Sequence, residues 1–473
     1  MTTRWQVAAS NTVEHACRTR WRTQLARGAG AVIAVTSLLA AVGTSATAGP
    51  PGQWTQITRA HNGAASNLGL ARGKDGKLHV LWAGPTRRPY TAVYDTPISP
   101  AGVAGPKQPV VSGWVRLNPP AAVALPDGSV HALISGQKTN STTDPNAGIN
   151  EVVGPGGWQL GARAFGSAPI TDPSNADVRT AVLKSGQLVT VWKSAASMLF
   201  QSGVEPSTQP DDISVPKDAG VNVVIAVDAA NGSAVIAYKG VTTGNSFFRR
   251  ILPALAAPSV TPGSKVEGPS IASRAGGGVY AAYVVGGAVR LLRFGGKAIP
   301  VPVPKGARAL TAGLAAGPDG RLWVFYGDER STYVTRTSKA VGGFEPVQAL
   351  KSPPGTVQYF RLEGEGSAGP LDLFADVTID GQTKDGSYHT QVWPALSLRV
   401  TAKQSATGTR VTVRVTDAGD GVKGAKVTGL PGGSKTTGAT GSIVYVAKAG
   451  TNGRLALMAT KPGYVSAKGT VSL

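Results

Sequence analysis

One hydrophobic pattern recurs seven times along the chain. In each copy a turn glycine is followed by apolar or small residues two, four and six positions later. Successive side chains of a β-strand point to opposite faces, so this spacing places each triplet on one face of a strand. The turn glycines are Gly76, Gly128, Gly186, Gly232, Gly277, Gly320 and Gly369. The triplets are Leu78-Val80-Trp82, Val130-Ala132-Ile134, Leu188-Thr190-Trp192, Ala234-Ile236-Tyr238, Val279-Ala281-Tyr283, Leu322-Val324-Tyr326 and Leu371-Leu373-Ala375.

The residues before the turn glycines indicate hairpins. Asp-Gly and Asn-Gly pairs, as at Asp75-Gly76 and Asn231-Gly232, favour the positive φ that two-residue hairpin turns require. The glycines lie 43 to 58 residues apart, which leaves room for four strands in each copy, the size of a β-propeller blade. In the first copy the two further strands are predicted at residues 90–96 and 110–115. The seventh copy shows only three strands, and we expect residues 54–58 to supply the fourth and close the ring.

At this point the chain resembles the sialidase-like and related secreted β-propellers. Hairpins of that superfamily often read Asp-Gly-x-apolar-x-apolar-x-Trp. Asp75-Gly76 through Trp82 matches this pattern, and Asp319-Gly320 through Tyr326 matches it with Tyr in the last place. The resemblance covers roughly residues 51–396 and implies a propeller over residues 49–396. It implies no single activity, because propellers host many functions.

The composition changes after Leu396, where aromatic residues become rare and Thr, Val, Gly and Ala dominate. Strands are predicted at residues 397–402, 410–416, 426–428, 442–447, 454–460 and 470–473. Gly421 through Val427 read Gly-x-x-Gly-Ala-x-Val, and Ala-Thr-Lys-x-Gly-Tyr ends at Tyr464. This tail resembles bacterial immunoglobulin-like and carboxypeptidase-regulatory-like domains, which are usually spacers or adhesion modules. The predicted fold is therefore all-β: a seven-bladed β-propeller with a C-terminal Ig-like β-sandwich domain over residues 397–473.

The N-terminus has the order of an export signal. Four arginines, from Arg18 to Arg27, precede an apolar stretch over residues 31–42, and Ala46-Thr47-Ala48 follows. The apolar stretch is shorter than the roughly 20 residues that a spanning helix needs. We therefore predict a signal peptide over residues 1–48, with an uncleaved signal-anchor as the alternative. The protein would then be secreted or extracellular, either free or associated with the cell surface.

Charge and cysteine content exclude several classes of site. The formal net charge is +21, but the Lys and Arg are scattered and form no dense basic run, so no nucleic-acid partner is predicted. The charge favours either attraction to anionic polymers or simple solubility. Cys17 is the only cysteine and lies in the predicted signal, so the exported chain would contain no disulfide and no cysteine-based metal site.

Three arginines near the innermost strands are candidates for the central channel. Sialidases need three arginines that grip a carboxylate, and Arg72, Arg179 and Arg361 are placed either to point into the channel or to be ordinary strand and rim residues. No sialidase box is intact, since Pro126-Asp127-Gly128 lacks the expected Ser and Thr-Trp. The repeated aromatics, such as Trp82 and Tyr238, are interpreted as core between blades.

Acids and histidines give no recognised site. Six acids cluster in the seventh copy: Glu363, Glu365, Asp372, Asp376, Asp380 and Asp385. They could bind Ca²⁺, but no calcium-loop spacing is present, and a solvated acidic rim is favoured. His79 and His131 occupy the same repeat position and are interpreted as packing or surface residues, with no spacing that indicates zinc.

The sequence favours a binding protein over an enzyme. Loops that follow the second strands or precede the next copy are long and polar, and they should gather on one face, where function usually lies. The candidate binding residues there are Arg87, Arg88, Asp328, Glu329 and Arg330. The predicted partner is an extracellular glycan or surface protein, bound by a monomer with no cofactor, no metal, no catalytic residues and no membrane span after signal removal. The alternative is a secreted propeller glycoside hydrolase or lyase, sialidase-like with a non-standard site, which converging carboxylates in the central pocket would favour. Small and apolar lining would favour the binder.

Overall fold

The computed structural model is almost entirely β-strand. It describes residues 52–58, 68–86, 89–140, 148–163, 178–194, 197–203, 211–213, 223–240, 244–261, 269–353, 357–379, 386–405, 408–448 and 452–473. Contacts divide the chain into Met1–Thr44 and Ser45–Leu473, and every described residue belongs to the second unit.

Within the described residues, seven small antiparallel sheets follow one another along the chain, and we number them sheets 1 to 7. Sheet 1 comprises β2 (Gly69–Arg72), β3 (Leu78–Pro85), β4 (Thr91–Ile98) and β5 (Gln108–Trp114). Sheet 2 comprises β6 (Arg116–Leu117), β7 (Ala121–Ala124), β8 (Val130–Gln137), β9 (Gly148–Gly154) and β10 (Gln159–Arg163). Sheet 3 comprises β11 (Val178–Val182), β12 (Leu188–Ser194), β13 (Ser197–Ser202) and β14 (Asp211–Ile213). Sheets 4 and 5 comprise β15 (Val224–Val227), β16 (Ala234–Lys239), β17 (Ser246–Arg250) and β18 (Ser259–Thr261); and β19 (Ser270–Ser273), β20 (Val279–Val285), β21 (Ala288–Arg293) and β22 (Ala298–Pro300). Sheets 6 and 7 comprise β23 (Thr311–Ala316), β24 (Leu322–Gly327), β25 (Ser331–Arg336) and β26 (Gln348–Lys351); and β27 (Val357–Glu365), β28 (Leu371–Ile379), β29 (Gly386–Val392) and β1 (Thr55–Gln56).

The sheets form a closed ring. The strands β2, β7, β11, β15, β19, β23 and β27 contact each other in this order, and β27 returns to β2. An apolar cluster lies between each pair of neighbouring sheets, including the seventh and the first, where Phe374 packs with Leu78 and Trp82. A ring of small radial sheets around a central channel is the β-propeller architecture. The chain therefore folds as a β-propeller over these residues.

The two ends of the propeller meet in one sheet, as the sequence predicts. Thr55 pairs with His389 and Gln56 with Tyr388, so the N-terminal strand β1 becomes the outer strand of sheet 7. Pairing the two ends removes an open sheet edge at the closure point.

The periodic triplets form the core. Every residue of the seven triplets is buried, Thr190 included. The prediction that the repeated aromatics lie between blades is confirmed, because Trp82, Trp192, Tyr238, Tyr283 and Tyr326 are all buried.

The hairpin turns are one residue longer than predicted in most repeats. All seven turn glycines have positive φ. In the first turn, however, the N–H of Gly73 binds the carbonyl of Lys77 and the N–H of Gly76 binds that of Gly73, which leaves a three-residue loop. This is the type I turn followed by a left-handed glycine. Asp75 Oδ1 accepts the N–H of Lys77 at 3.0 Å, a side-chain contact that stabilises this turn.

The tail consists of two small sheets that share one core. Its strands are β30 (Ser397–Ser405), β31 (Gly408–Asp417), β32 (Asp420–Gly421), β33 (Lys426–Thr428), β34 (Lys435–Thr436), β35 (Ser442–Ala447), β36 (Arg454–Thr460) and β37 (Ala467–Ser472). One sheet has the order β30-β31-β32 with β35 paired to β31, and the other has the order β34-β33-β36-β37. Val411 and Val413 of the first sheet pack with Val427 and Leu457 of the second.

Candidate functional site

The central channel of the propeller is narrowed by a level of mainly apolar residues. Five residues line both halves of the channel: Leu70, Ala122, Thr180, Ile225 and Ile271. Each pairs with the middle residue of its repeat's triplet, so all five lie at one level of the ring. We call the half beside the glycine turns the turn end, and the half beside the loops that lead into the innermost strands the loop end.

The loop end holds a small charged cluster. Its cavity has a volume of about 250 Å³ and is lined by Arg179, Arg361 and Glu363 together with apolar residues of the innermost strands. Arg361 Nη1 lies 3.3 Å from Glu363 Oε1. Arg179 is anchored by its Nε, which donates to the carbonyl of Val223 at 3.2 Å. Two guanidinium groups therefore accompany one carboxylate at the end of an apolar-walled channel.

Glu363 is shielded from water at this position. Its Oε2 accepts the backbone N–H of Leu68 at 2.9 Å, and its side chain keeps 20% exposure. Burial raises the pKa of this carboxyl, although the charges of Arg361 and Arg179 and the hydrogen bond from Leu68 act in the opposite direction. The carboxyl group is thus held in a site where its protonated form is favoured more than in water.

The turn end is larger, with a volume of about 700 Å³, and Arg72 in its wall is paired across the ring closure. Arg72 of sheet 1 donates from Nε to Glu365 Oε2 and from Nη2 to Asp372 Oδ2, both at 2.7 Å. Asp372 Oδ1 in turn lies 3.0 Å from His389 Nε2. Because Arg72 and Asp372 are both largely buried, this network links the first and last sheets and leaves no isolated charge in the seam.

The arginines proposed for the channel do line it. Arg179 and Arg361 line the loop end and Arg72 lines the turn end. The three are not gathered on one spot, since Arg72 lies on the other side of the apolar level.

Of the predicted binding residues on the long loops, the structure describes Asp328, Glu329 and Arg330, and these do not line the channel. Arg87 and Arg88 lie outside the described residues. Asp328 stabilises its own turn: Oδ1 accepts the N–H groups of Arg330 and Ser331, and Oδ2 accepts the Tyr333 hydroxyl at 3.0 Å. Glu329 and Arg330 are exposed, and none of the three lines the described channel. Their proposed binding role stays a prediction.

The expectation of a solvated acidic rim is wrong for part of the seventh repeat. Asp372 and Asp376 are buried, at 1% and 5% exposure. Asp376 Oδ1 accepts the Ser387 hydroxyl at 3.3 Å. These acids face inward because they bond to partners on neighbouring strands, which no local pattern of charges reveals. Asp380 and Asp385 lie outside the described residues.

The sequence analysis also missed three histidine–carboxylate pairs. His79 Nδ1 lies 2.7 Å from Asp95 Oδ2, and His131 Nδ1 lies 2.6 Å from Glu151 Oε1. In sheet 7 the pair is inverted, because Asp372 occupies the position of His79 and His389 that of Asp95. The three pairs share one spacing. The residue on the third strand lies two positions before the residue that pairs directly with the one on the second strand. The sequence alone does not reveal this spacing, because it depends on the register of the second and third strands.

In two of the pairs the histidine lies on the second strand of its sheet, and the His79–Asp95 pair is the more buried of these two. Burial by itself would lower the pKa of its imidazole, but the hydrogen bond and charge of Asp95, with a further contribution from Asp75, raise the pKa above its usual value. The sequence predicts a packing or surface role for His79. In the structure, its imidazole makes a charged or strongly polarised contact with Asp95.

In the part of the chain that the structure describes, no three or more His, Cys, Asp or Glu side chains are arranged to hold a metal ion. Nor does any helix there have the length and apolar character to cross a membrane.

Comparison with known proteins gives structural likenesses only. No family model and no curated protein sequence matches the chain. A streptogramin B lyase structure has 10% identity, covers 72% of this chain and 97% of its own, and has a TM-score of 0.43. A virginiamycin B lyase from Staphylococcus aureus has 10% identity, with 71% and 97% coverage and a TM-score of 0.40. The polysaccharide lyase Uly1 has 11% identity, with 70% and 91% coverage and a TM-score of 0.41. At these values the fold assignment rests on the sheets and channel of this chain itself.

Proposed function

We propose that this chain is an exported, monomeric seven-bladed β-propeller binding protein with a C-terminal Ig-like domain. The ligand is a glycan or cell-surface protein that carries a carboxylate group, and it binds at the loop end of the channel. The observation that carries the proposal is the pair Arg179 and Arg361 beside a single carboxylate, Glu363.

The charge balance supports an anionic ligand group. Arg179 and Arg361 carry two positive charges, and Glu363 carries at most one negative charge, which its raised pKa reduces further. A guanidinium presents five N–H donors in a planar fork, and a carboxylate accepts two of them side by side. The net charge of +21 for the whole chain favours the approach of such a ligand.

The channel wall supports binding over catalysis. Leu70, Ile225 and Ile271 face the channel at its narrow level and offer no acid or base. Hydrolysis of a glycosidic bond usually needs two carboxyl groups across one cleft. Among the described residues that line the loop end, Glu363 is the only carboxylate.

One observation favours the alternative, a propeller glycoside hydrolase or lyase. Glu363 is a carboxyl group with a raised pKa, and a carboxyl group that keeps its proton can act as a general acid toward a leaving oxygen. This alternative predicts turnover that Glu363→Gln abolishes while binding persists.

The test compares oligogalacturonate with its methyl ester, in which each carboxylate is capped by a methyl group and carries no charge. By titration calorimetry we expect the acid to bind and the ester to bind at least about tenfold more weakly, as loss of a charge-assisted hydrogen bond implies. Arg361→Ala should weaken binding of the acid to a similar extent. Arg399→Ala removes an exposed arginine of the tail and serves as the matched control. Equal binding of acid and ester, or of wild type and Arg361→Ala, would contradict the proposal.

Export is tested separately. We infer that residues 1–48 are removed as a signal peptide, because a basic segment, an apolar stretch and Ala46-Thr47-Ala48 follow in that order. N-terminal sequencing of the exported protein should begin near Gly49. An intact Met1 in that material would exclude cleavage and favour the signal-anchor alternative.

A further inference from the structure

A second cavity lies outside the channel, between sheets 1 and 2 beside their glycine turns. Its volume is about 920 Å³, larger than either end of the channel. Asp75, His79, Gln108, Trp158 and Gln159 are among the residues that line it. We call it the sheet 1–2 groove. Neither the channel site nor the candidate residues on the long loops include any of these side chains.

Trp158 provides an aromatic surface in this groove. A Cβ atom at Gly154 would lie 2.7 Å from the Trp158 ring, so the indole packs closely on a position that has no side chain. The ring of His79 meets it edge-on, with centroids 6.0 Å apart. Trp158 is only partly buried, so these contacts orient an indole that still borders the groove.

The groove floor holds a buried histidine nitrogen that makes no hydrogen bond. The His79 side chain is 4% exposed, and its Nδ1 is engaged by Asp95 at 2.7 Å. Its Nε2 is buried and makes no hydrogen bond; the nearest acceptor, Asp75 Oδ1, is 3.6 Å away. A buried polar atom without a partner is costly, so such atoms mark sites that a ligand or water completes. Asp75 is one-third exposed and can move to admit a hydroxyl that accepts from Nε2–H and donates to the carboxylate.

The groove lining carries charges of both signs. Lys74 and Lys77 accompany Asp75 and Asp95, while Gln108 and Gln159 add uncharged amide donors and acceptors. Such a lining offers many hydrogen bonds but little net attraction for an ion. This distinguishes the groove from the loop end of the channel, where positive charge is in excess.

We propose that the sheet 1–2 groove is a binding site for a neutral oligosaccharide, with one sugar ring stacked on Trp158. An uncharged chain of hydroxyl groups matches the mixed donors and acceptors, and the apolar face of a pyranose ring matches the indole. The groove is open and has a volume of about 920 Å³, which leaves room for more than one sugar unit. This site is distinct from the Arg361 site, and each stands without the other.

The experiment titrates the full chain with uncharged hexasaccharides: cellohexaose, xylohexaose, maltohexaose, laminarihexaose and chitohexaose. At least one should bind and change the tryptophan fluorescence. Trp158→Ala should weaken that binding at least tenfold, and Trp158→Phe should restore most of it. Trp54→Ala is the matched control, because Trp54 lies in the sequence before sheet 7's outer strand and does not line the groove. Binding should be unchanged in Arg361→Ala, which separates this site from the channel.

Trp158→Ala also removes packing contacts within the protein, so a second variant keeps the indole and changes a different residue of the groove. Gln108→Ala is expected to weaken binding several-fold with no change in the thermal midpoint, since the amide borders the groove. Two results would overturn the proposal: no binding of any neutral hexasaccharide at millimolar concentration, or binding that survives Trp158→Ala.

Discussion

Arg336 and Asp417 form a buried ion pair between the propeller and the tail. The Nη2 of Arg336, at the end of β25, lies 2.5 Å from Oδ2 of Asp417, at the end of β31, and both side chains are at most 3% exposed. Arg321 of sheet 6 adds a second contact, with Nη1 3.5 Å from Asp417 Oδ1. The hydroxyl of Tyr464 donates to Asp417 Oδ2 at 3.2 Å. Asp417 of the tail is therefore shared by two buried arginines of the propeller, and Asp420 supplies a second carboxylate to Arg321.

Removing this carboxylate should be strongly destabilising. Asp417→Ala leaves Arg336 and Arg321 buried without their shared partner, and breaking a buried pair in this way costs about 3–5 kcal/mol. Urea unfolding of the full chain measures the loss. Asp420→Ala is the matched control, because Asp420 also pairs with Arg321 but is 34% exposed. Its loss should be below about 1 kcal/mol, and equal losses for the two variants would contradict the ranking.

The same junction predicts a pH dependence of stability. Glu345 of sheet 6 is buried and accepts the N–H of Ala395 at 3.0 Å. Burial raises the pKa of Glu345 to about 8, against the attraction of Arg336, while the charge of Asp417 adds to the increase. Between its unfolded pKa of 4.5 and this value, the folded chain binds more protons than the unfolded chain. The free energy of unfolding therefore falls as pH rises through this window, by up to about 1.4 kcal/mol per unit.

Glu345→Gln isolates that contribution. The amide oxygen can still accept from Ala395, but the side chain no longer ionises. We expect wild type and variant to have similar stability near pH 5, and the variant to be the more stable at pH 8 and above. Thermal melts from pH 5 to pH 9 give the comparison. Parallel curves for the two proteins would show that Glu345 does not titrate in this range.

Phe325 packs against Gly313 on the innermost strand of sheet 6. A Cβ atom at Gly313 would overlap the Phe325 ring, which is fully buried between sheets. Gly313→Ala should therefore cost about 1–3 kcal/mol through overpacking. Gly342→Ala is the matched control, because a Cβ there meets nothing within 4 Å. Chemical denaturation measures both variants, and an unchanged midpoint for Gly313→Ala would contradict the packing described.

The tail should fold without the propeller. Its core is made from its own strands, with Val411 and Val413 against Val427 and Leu457, and an independent core is what allows a domain to fold alone. A fragment of residues 397–473 is expected to show a β-type circular dichroism spectrum and a cooperative melt. A disordered spectrum would show that residues 397–473 are not an independently folding domain. It would also indicate that the contacts of Asp417 with the propeller are needed for the tail to fold.

The sequence by itself determined the repeating part of this protein. The burial of Leu78, Val80 and Trp82 follows from strand periodicity, which is local, and the positive φ of Gly76 follows from turn geometry, which is also local. The closure of sheet 7 by a strand near Thr55 was also accessible, because a seventh repeat that lacks a strand requires one from elsewhere in the chain. These features depend only on neighbours in sequence or on the count of strands.

The tertiary structure alone decided where the charges lie. Arg361 and Glu363 are close in sequence, but Arg179 comes to the same end of the channel only because the ring closes. The burial of Asp372 depends on Arg72, which lies 300 residues away, and His79 meets Asp95 through the register of two strands. An ionised side chain is tolerated in the interior wherever a partner neutralises it, and distant partners leave no periodic trace in the sequence. The hydrophobic pattern therefore predicts the scaffold, while the sites depend on pairings that form only in the closed ring.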